Sequence, residues 1–341
     1  MSKFFKRITL SDYNTMLDLI YEGLSDESLP TGDTANLVSL SGLIVHNAPE
    51  ASMKLTQAHT TRSLNIFADH PRFTKETSLR IQVLESVSSQ FNERVRDHLP
   101  PLFHCFIQLM SLQPASIRQP DLSSTWSLLS SCLAGSTEHD SKTSASVYSK
   151  VVSIVSALIR MRRDLVSSTL PQLGIVIRRL ILSLRHVRPH LGAKQRRMVT
   201  DSLPKWVNPD EPLSAEESKA VARLVTTLVT KTIVRTHSDT QKAESLARPF
   251  SKHAAYVLSA YIDALSDPLC FLPVDIRKEL EPGLFALCDM MGEHNRDAMM
   301  AGTLDAGGKV VMKSLWREYE KQRYVHANIN KDARLDTRCE A

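Results

Sequence analysis

The chain has 341 residues, of which 42% are hydrophobic but only 6% aromatic, and a formal net charge of +5. That mix suits helices with aliphatic cores better than sheets, and the length allows either one extended domain or two compact ones. The longest apolar run, Leu173 to Leu184, is broken by Arg178 and Arg179 and falls far short of the roughly 20 residues that span a bilayer, so no membrane partner is expected.

Apolar residues spaced by three and four predict helices over 9–23, 33–47, 50–69, 75–91, 100–112 and 120–134. A Ser/Thr-rich break follows at Gly135 to Ser146. Val147, Val151, Ile154, Val155, Leu158 and Ile159 then make one stripe, and Leu173, Val176, Ile177, Leu180, Ile181 and Leu184 make a second, begun after Pro171 at a first-turn position. A second break, Arg188 to Pro212, carries Pro189, Pro204, Pro209 and Pro212. Ser214-Ala-Glu-Glu217 has the form of a capping box opening a helix with the stripe Val221, Leu224, Val225, Leu228 and Val229. Further helices are expected over 240–265, 274–290 and 305–325, with a polar turn at Gly292 to Asn295. In the last of them Val311, Leu315 and Tyr319 form an apolar line that leaves Lys313, Arg317 and Lys321 outside.

Paired off, these helices make about six hairpins at the spacing of HEAT or armadillo repeats. The expected fold is therefore all-α: a helical-hairpin solenoid with a C-terminal capping helix, forming a single elongated domain over 1–341 with a disordered tail at 326–341. No sequence repeat supports the period, and an irregular helical bundle is the alternative.

The search for chemistry returns mostly packing. Gly307-Gly308-Lys309 lacks the rest of a phosphate loop, since Thr303 and Val310 stand where glycine and a hydroxyl residue belong, and it reads as a turn opening a helix. His294 with Glu293, Asp289 and Asp297 reads as a solvated turn rather than a metal or acid–base site. His59, His70, His98, His104, His186 and His190 are dispersed, and Trp126, Trp206 and Trp316 read as packing residues. Cys105, Cys132, Cys270, Cys288 and Cys339 form no C-x-x-C pair, which fits a reducing compartment; the N-terminus lacks the apolar stretch of a secretion signal. No G-x-S-x-G elbow occurs. No catalytic residue, cofactor, metal or small-molecule substrate is expected, and the chain is read as a non-enzyme.

One constellation has physical content. Arg160, Arg162, Arg163, Arg178, Arg179, Arg185, Arg188, Lys194, Arg196 and Arg197 stand against the single acid Asp164, a local charge of +9 that leaves the rest of the chain at −4. Arg178, Arg179 and Arg185 lie off the apolar stripe and are expected to face outward. Guanidinium forks bind phosphate, so these ten are the candidate contacts to RNA or to an acidic protein. A solvated helix face with capping charges explains the same run. With no aromatic residue nearby, contact is expected to be with the RNA backbone rather than with bases.

Between 144 and 325 the order of several segments is informative: Arg-Met-Arg-Arg-Asp-Leu at 160–165, the helix Leu173 to Leu184, Ala-Glu-Ser-Leu-Ala-Arg to Ala-Tyr-Ile-Asp-Ala-Leu at 243–265, and the ending from Glu281-Pro282-Gly283-Leu284 to Lys-Ser-Leu-Trp-Arg-Glu-Tyr-Glu-Lys at 313–321. This order resembles the C-terminal domain of the Urb/Npa family, second member, the large nucleolar proteins called unhealthy ribosome biogenesis protein two or nucleolar preribosomal-associated protein two. The resemblance implies a non-enzymatic scaffold in nucleolar large-subunit (pre-60S) ribosome biogenesis and pre-rRNA processing. It also implies partners among assembly factors, including a companion Urb/Npa protein and a DEAD-box helicase, with pre-rRNA as a candidate ligand. Family members are far longer, and against them this chain reads as a C-terminal fragment, a truncated gene product or a short paralogue. A HEAT-like protein–protein adaptor outside the nucleolus is the competing reading.

Overall fold

The computed structural model describes residues 8–76, 117, 119–233 and 243–339, with 78, 79, 82, 83 and 86. The helix expected over 100–112 lies outside the described residues, as do ten of the seventeen residues of the one expected over 75–91. The described chain is helical apart from two two-stranded ladders, as an all-α reading requires. Its contacts divide it into two compact units: Met1–Ala134 with Lys142–Val176, and Gly135–Ser141 with Ile177–Ala341. This is a finer division than the single elongated domain expected, because most helices pack within one set or the other.

The first unit contains α1 (Leu10–Ser25), α2 (Thr31–His46), α3 (Met53–Asp69), α4 (Pro71–Lys75), α5 (Gln119–Cys132), α6 (Ala145–Met161), α7 (Arg163–Ser167) and the start of α8 (Leu170–Leu182). Thr9 caps α1 by accepting the Asp12 N–H at 3.1 Å, and Tyr13, Leu17, Ile20 and Leu24 are its buried face. This helix packs on α2 and α3. All six stripe residues of α6 are buried, from Val147 to Ile159, each contributing about 1.5–3 kcal/mol of burial. Trp126 is buried and donates its indole N–H to Thr169 Oγ1 at 2.9 Å, the packing role expected of it.

The second unit holds the rest of α8, then α9 (Ala193–Thr200), α10 (Ala215–Val229), α11 (Ala247–Ser266), α12 (Val274–Gly302) and α13 (Ala306–Cys339). Strand β1 (His186–Val187) pairs antiparallel with β4 (Cys270–Phe271), and β2 (Thr232–Ile233) with β3 (Ala243–Glu244). The capping box at α10 is present: Ser214 N–H donates to Glu217 Oε2 at 2.9 Å, and the Ser214 hydroxyl accepts from the start of the helix. Ser214→Ala should lower stability by about 1 kcal/mol, read as a shift in the urea midpoint at unchanged m-value. Among the described residues the most extensive helix pair is α10 with α12. There Gly283 lets the backbones meet, since a Cβ on it would lie 2.8 Å from Ala222 Cα.

Several boundaries differ from expectation. The polar turn at Gly292 is a kink with φ 70°, after which α12 resumes through Gly302, held by buried Met299. A positive φ without steric cost is why glycine stands there. Gly307-Gly308-Lys309 does open α13, where Asp305 accepts the Gly308 N–H at 2.6 Å. The tail 326–341, expected to be disordered, has helical backbone through Cys339, because nothing after Gly308 breaks a helix. The expected 240–265 helix starts only at Ala247, since Ala243 and Glu244 pair in β3. Inside the Pro-rich break, α9 went unforeseen because Val199 is its one buried residue, which leaves no stripe to read.

The two breaks read as loops pair with each other inside the second unit. Ser136 N–H donates to the Leu203 carbonyl at 3.0 Å, Asp140 N–H to the Lys205 carbonyl at 2.9 Å, and Asn208 Nδ2 to the Ser141 carbonyl at 2.8 Å. Gly135 sits so close that a Cβ would lie 2.5 Å from the Asp201 carbonyl oxygen.

Candidate functional site

The ten basic residues fall in different environments. In the first unit Arg160 is exposed, its Nε donating to the Ser156 carbonyl at 3.3 Å. Arg162 grips Asp164 with two nitrogens, at 3.2 and 2.9 Å, and also donates to the Ile117 carbonyl. Arg163 is half-buried, and desolvation lowers its pKa.

In the second unit Arg178 is a clamp rather than an outward charge. It donates to Asp263 at 2.7 Å, to the Tyr256 carbonyl at 3.0 Å and to the Ser259 hydroxyl, and its guanidinium lies 4.9 Å from the Tyr256 ring centroid. This fixes the end of α8 to α11. Arg179 is half-buried, and Arg185 is held by the Leu182 carbonyl and Ser202 Oγ, both at 2.9 Å. The outward orientation expected for Arg178, Arg179 and Arg185 is thus only partial, because their long stems lie along neighbouring helix and loop. Arg196 pairs with Asp210, and Arg197, 74% exposed, lies 3.6 Å from Asp201. Lys194 and Arg188 are exposed.

The carboxylates engaged by Arg178, Arg196 and Arg197 come from Asp263, Asp210 and Asp201, all outside the counted segment. The excess of +9 along the chain is therefore smaller in space. Exposed pairs such as Arg197–Asp201 are worth little and leave the cation able to exchange partners.

The ladder adds a residue that the sequence reading missed. Phe271 on β4 faces His186 on β1 in register, their rings 5.6 Å apart and edge-on. Beside it Arg188 is fixed twice: its backbone N–H donates to the Leu269 carbonyl and its Nε to the Cys270 carbonyl, both at 3.2 Å. Arg188, Pro189, His190, Leu191 and Phe271 line a pocket of about 350 Å³ with no carboxylate in its wall. The signal for Phe271 was faint: Cys-Phe-Leu between Pro268 and Pro273, a β-prone triplet too short for periodicity.

A second concavity of about 630 Å³ opens between α11, α12 and α13. Val274 and Val310 on its edge are 70% and 68% exposed, and Arg277 and Glu281 line it.

Among the described residues no acid–base or metal chemistry converges elsewhere. The turn around His294 holds Arg296 against Asp297, and Asp289 accepts from the Tyr319 hydroxyl at 2.9 Å. Among the described residues no three His, Cys, Asp or Glu side chains are placed to hold a metal ion. Burial pushes the thiols of Cys270 and Cys288 up to about 12, which leaves them without the thiolate that reactivity needs. No helix among the described residues is long and apolar enough to cross a membrane.

No curated protein sequence matches the chain. Residues 100–327 match the Urb2/Npa2 family, a stretch that begins before the 144–325 region picked out by residue order and covers about two thirds of the 341 residues. As the order of the segments at 160–165, 173–184, 243–265 and 281–321 first suggested, the chain belongs to the Urb2/Npa2 family of ribosome-biogenesis factors.

Proposed function

We propose that the chain is a non-enzymatic scaffold of the nucleolar pre-ribosome, acting in early pre-60S assembly and pre-rRNA processing. Each unit is a run of helical hairpins of the HEAT/armadillo kind, with α13 capping the second. The family match over residues 100–327 carries this reading. The residues that touch pre-rRNA are those left outward, Arg160, Arg188, Lys194 and Arg197, with Arg162, Arg163, Arg178, Arg179, Arg185 and Arg196 serving mainly to hold the surface in shape. Protein partners, among them the companion Urb/Npa protein and a DEAD-box helicase, dock along helix faces. The groove edged by Val274 and Val310 suits an apolar segment of such a partner.

The test is a tagged chain followed by microscopy and sedimentation. Nucleolar signal and co-sedimentation with large-subunit precursors are expected, and exclusion from nucleoli would overturn the proposal in favour of an adaptor working elsewhere. Reversing Arg188, Lys194 and Arg197 together should flatten the salt dependence of RNA binding by about 3 in log–log slope without unfolding the chain. An unchanged slope removes the RNA part alone.

A further inference from the structure

We infer that the pocket between Arg188, His190 and Phe271 takes one unpaired nucleotide of single-stranded RNA, its base against the Phe271 ring and its phosphate on the Arg188 guanidinium. This deepens the RNA-contact part of the proposed function and rests on it.

Geometry is the first support. Phe271 and Arg188 come from chain positions far apart, yet the β1–β4 ladder sets them side by side, with His186 opposite Phe271 and Val187 opposite Cys270. Arg188 spends its Nε on the Cys270 carbonyl. That bond restrains the guanidinium, so less order has to be gained on binding.

The chemistry of the wall is the second support. An arginine, an exposed histidine, a proline, a leucine and an aromatic ring line the pocket, with no acid to repel a phosphate. Its volume of about 350 Å³ stands at the lower end for small-ligand pockets and suits one nucleoside rather than a helix. Lys194 and Arg197 are exposed on α9, a helix that contacts β1, and would offer cations to neighbouring phosphates.

The third support is selectivity of form. A base reaches a ring face only when it is out of its own stack, so a duplex can use the cations but not Phe271. The aromatic residue therefore adds a term indifferent to salt, whereas the cations add one that falls with it.

The experiment titrates the full chain with a fluorescent oligouridine and, separately, with an RNA duplex, reading anisotropy at several salt concentrations. Phe271→Leu, which keeps the apolar fill beside His186, should weaken oligouridine binding about tenfold at unchanged salt slope and leave the duplex unaffected. Equal losses for both RNAs, or none for either, overturn the pocket assignment while leaving RNA contact by the cations intact. If the unaltered chain binds neither RNA but binds polyglutamate, the RNA reading falls with it and the surface serves an acidic protein. Should Phe271→Leu fail to fold, photocrosslinking of the unaltered chain to a 4-thiouridine oligonucleotide decides: adducts on the peptides holding His190 or Phe271 are expected, and adducts only elsewhere overturn the assignment.

Discussion

Gly283→Val is expected to destabilise the second unit by about 3 kcal/mol, the upper end for overpacking, because the new side chain meets backbone rather than a movable side chain. A Cβ at this position lies 2.8 Å from Ala222 Cα, 3.2 Å from the Ala222 carbonyl oxygen and 3.3 Å from the Ala222 Cβ. Separating α10 from α12 is the one relief, and it would loosen the contact on which Leu284, Leu280, Val221 and Val225 are buried. Even Gly283→Ala, which helix propensity alone would favour by about 1 kcal/mol, should be destabilising. The comparison is Gly302→Ala in the same helix, where a Cβ meets nothing within 4 Å, so that change should be neutral or mildly stabilising. Urea midpoints followed by Trp316 fluorescence measure all three variants. If Gly283→Ala raises the midpoint as Gly302→Ala does, the close approach is not what holds this pair together.

Acidification is expected to weaken the first unit through His59, by about 3 kcal/mol in full. The ring is 3% exposed, its Nε2 lies 3.5 Å from the Ser41 hydroxyl and 3.3 Å from that of Ser63, and its Nδ1 is buried with no hydrogen-bond partner. Burial above all, then the Arg62 charge, opposed by Asp18, holds its pKa down to about 4 against an ordinary 6.5. The unfolded chain therefore binds a proton between these values that the folded chain refuses. The stabilisation is complete above pH 6.5 and drains away as pH falls toward 4. Trp126 lies in this unit, so its fluorescence reports the transition once Trp206 and Trp316 are replaced by phenylalanine. His59→Gln should flatten the dependence of the urea midpoint on pH in this range. A fall as steep in His59→Gln as in the unaltered chain would assign the acid sensitivity to other groups.

What could be read from residue order was whatever depends on neighbours three or four positions apart. The stripe from Val147 to Ile159, the stripe from Leu173 to Leu184 and the Ser214–Glu217 box are all found in place, because each is a local pattern with a single way to be buried or capped. The basic site was half readable. Arginine positions are visible in a sequence, but the carboxylates of Asp201, Asp210 and Asp263 that meet them arrive by folding, and so does Phe271. For the same reason Arg178, counted as an outward charge, is a cross-link between α8 and α11, whereas Lys194 stands exposed on α9. The kink at Gly292 was visible as a turn, yet the continuation of α12 depends on Met299 finding the core, which no local pattern states.

The pairing of Gly135–Ser141 with the stretch after α9 bears on how the chain is made. In the sequence a seven-residue strap of the second unit stands between two stretches that belong to the first, and its hydrogen-bond partners lie up to 68 residues downstream. At synthesis rates of about 5–20 residues per second, the strap leaves the ribosome roughly 3–14 seconds before anything exists for it to bind. During that interval its backbone amides must be satisfied by water. All of the first unit has been made by Val176, whereas the second begins with this strap and is complete only when the chain from Ile177 onward follows, so a protein cut within Gly135–Ser141 would leave the second unit to assemble from two fragments.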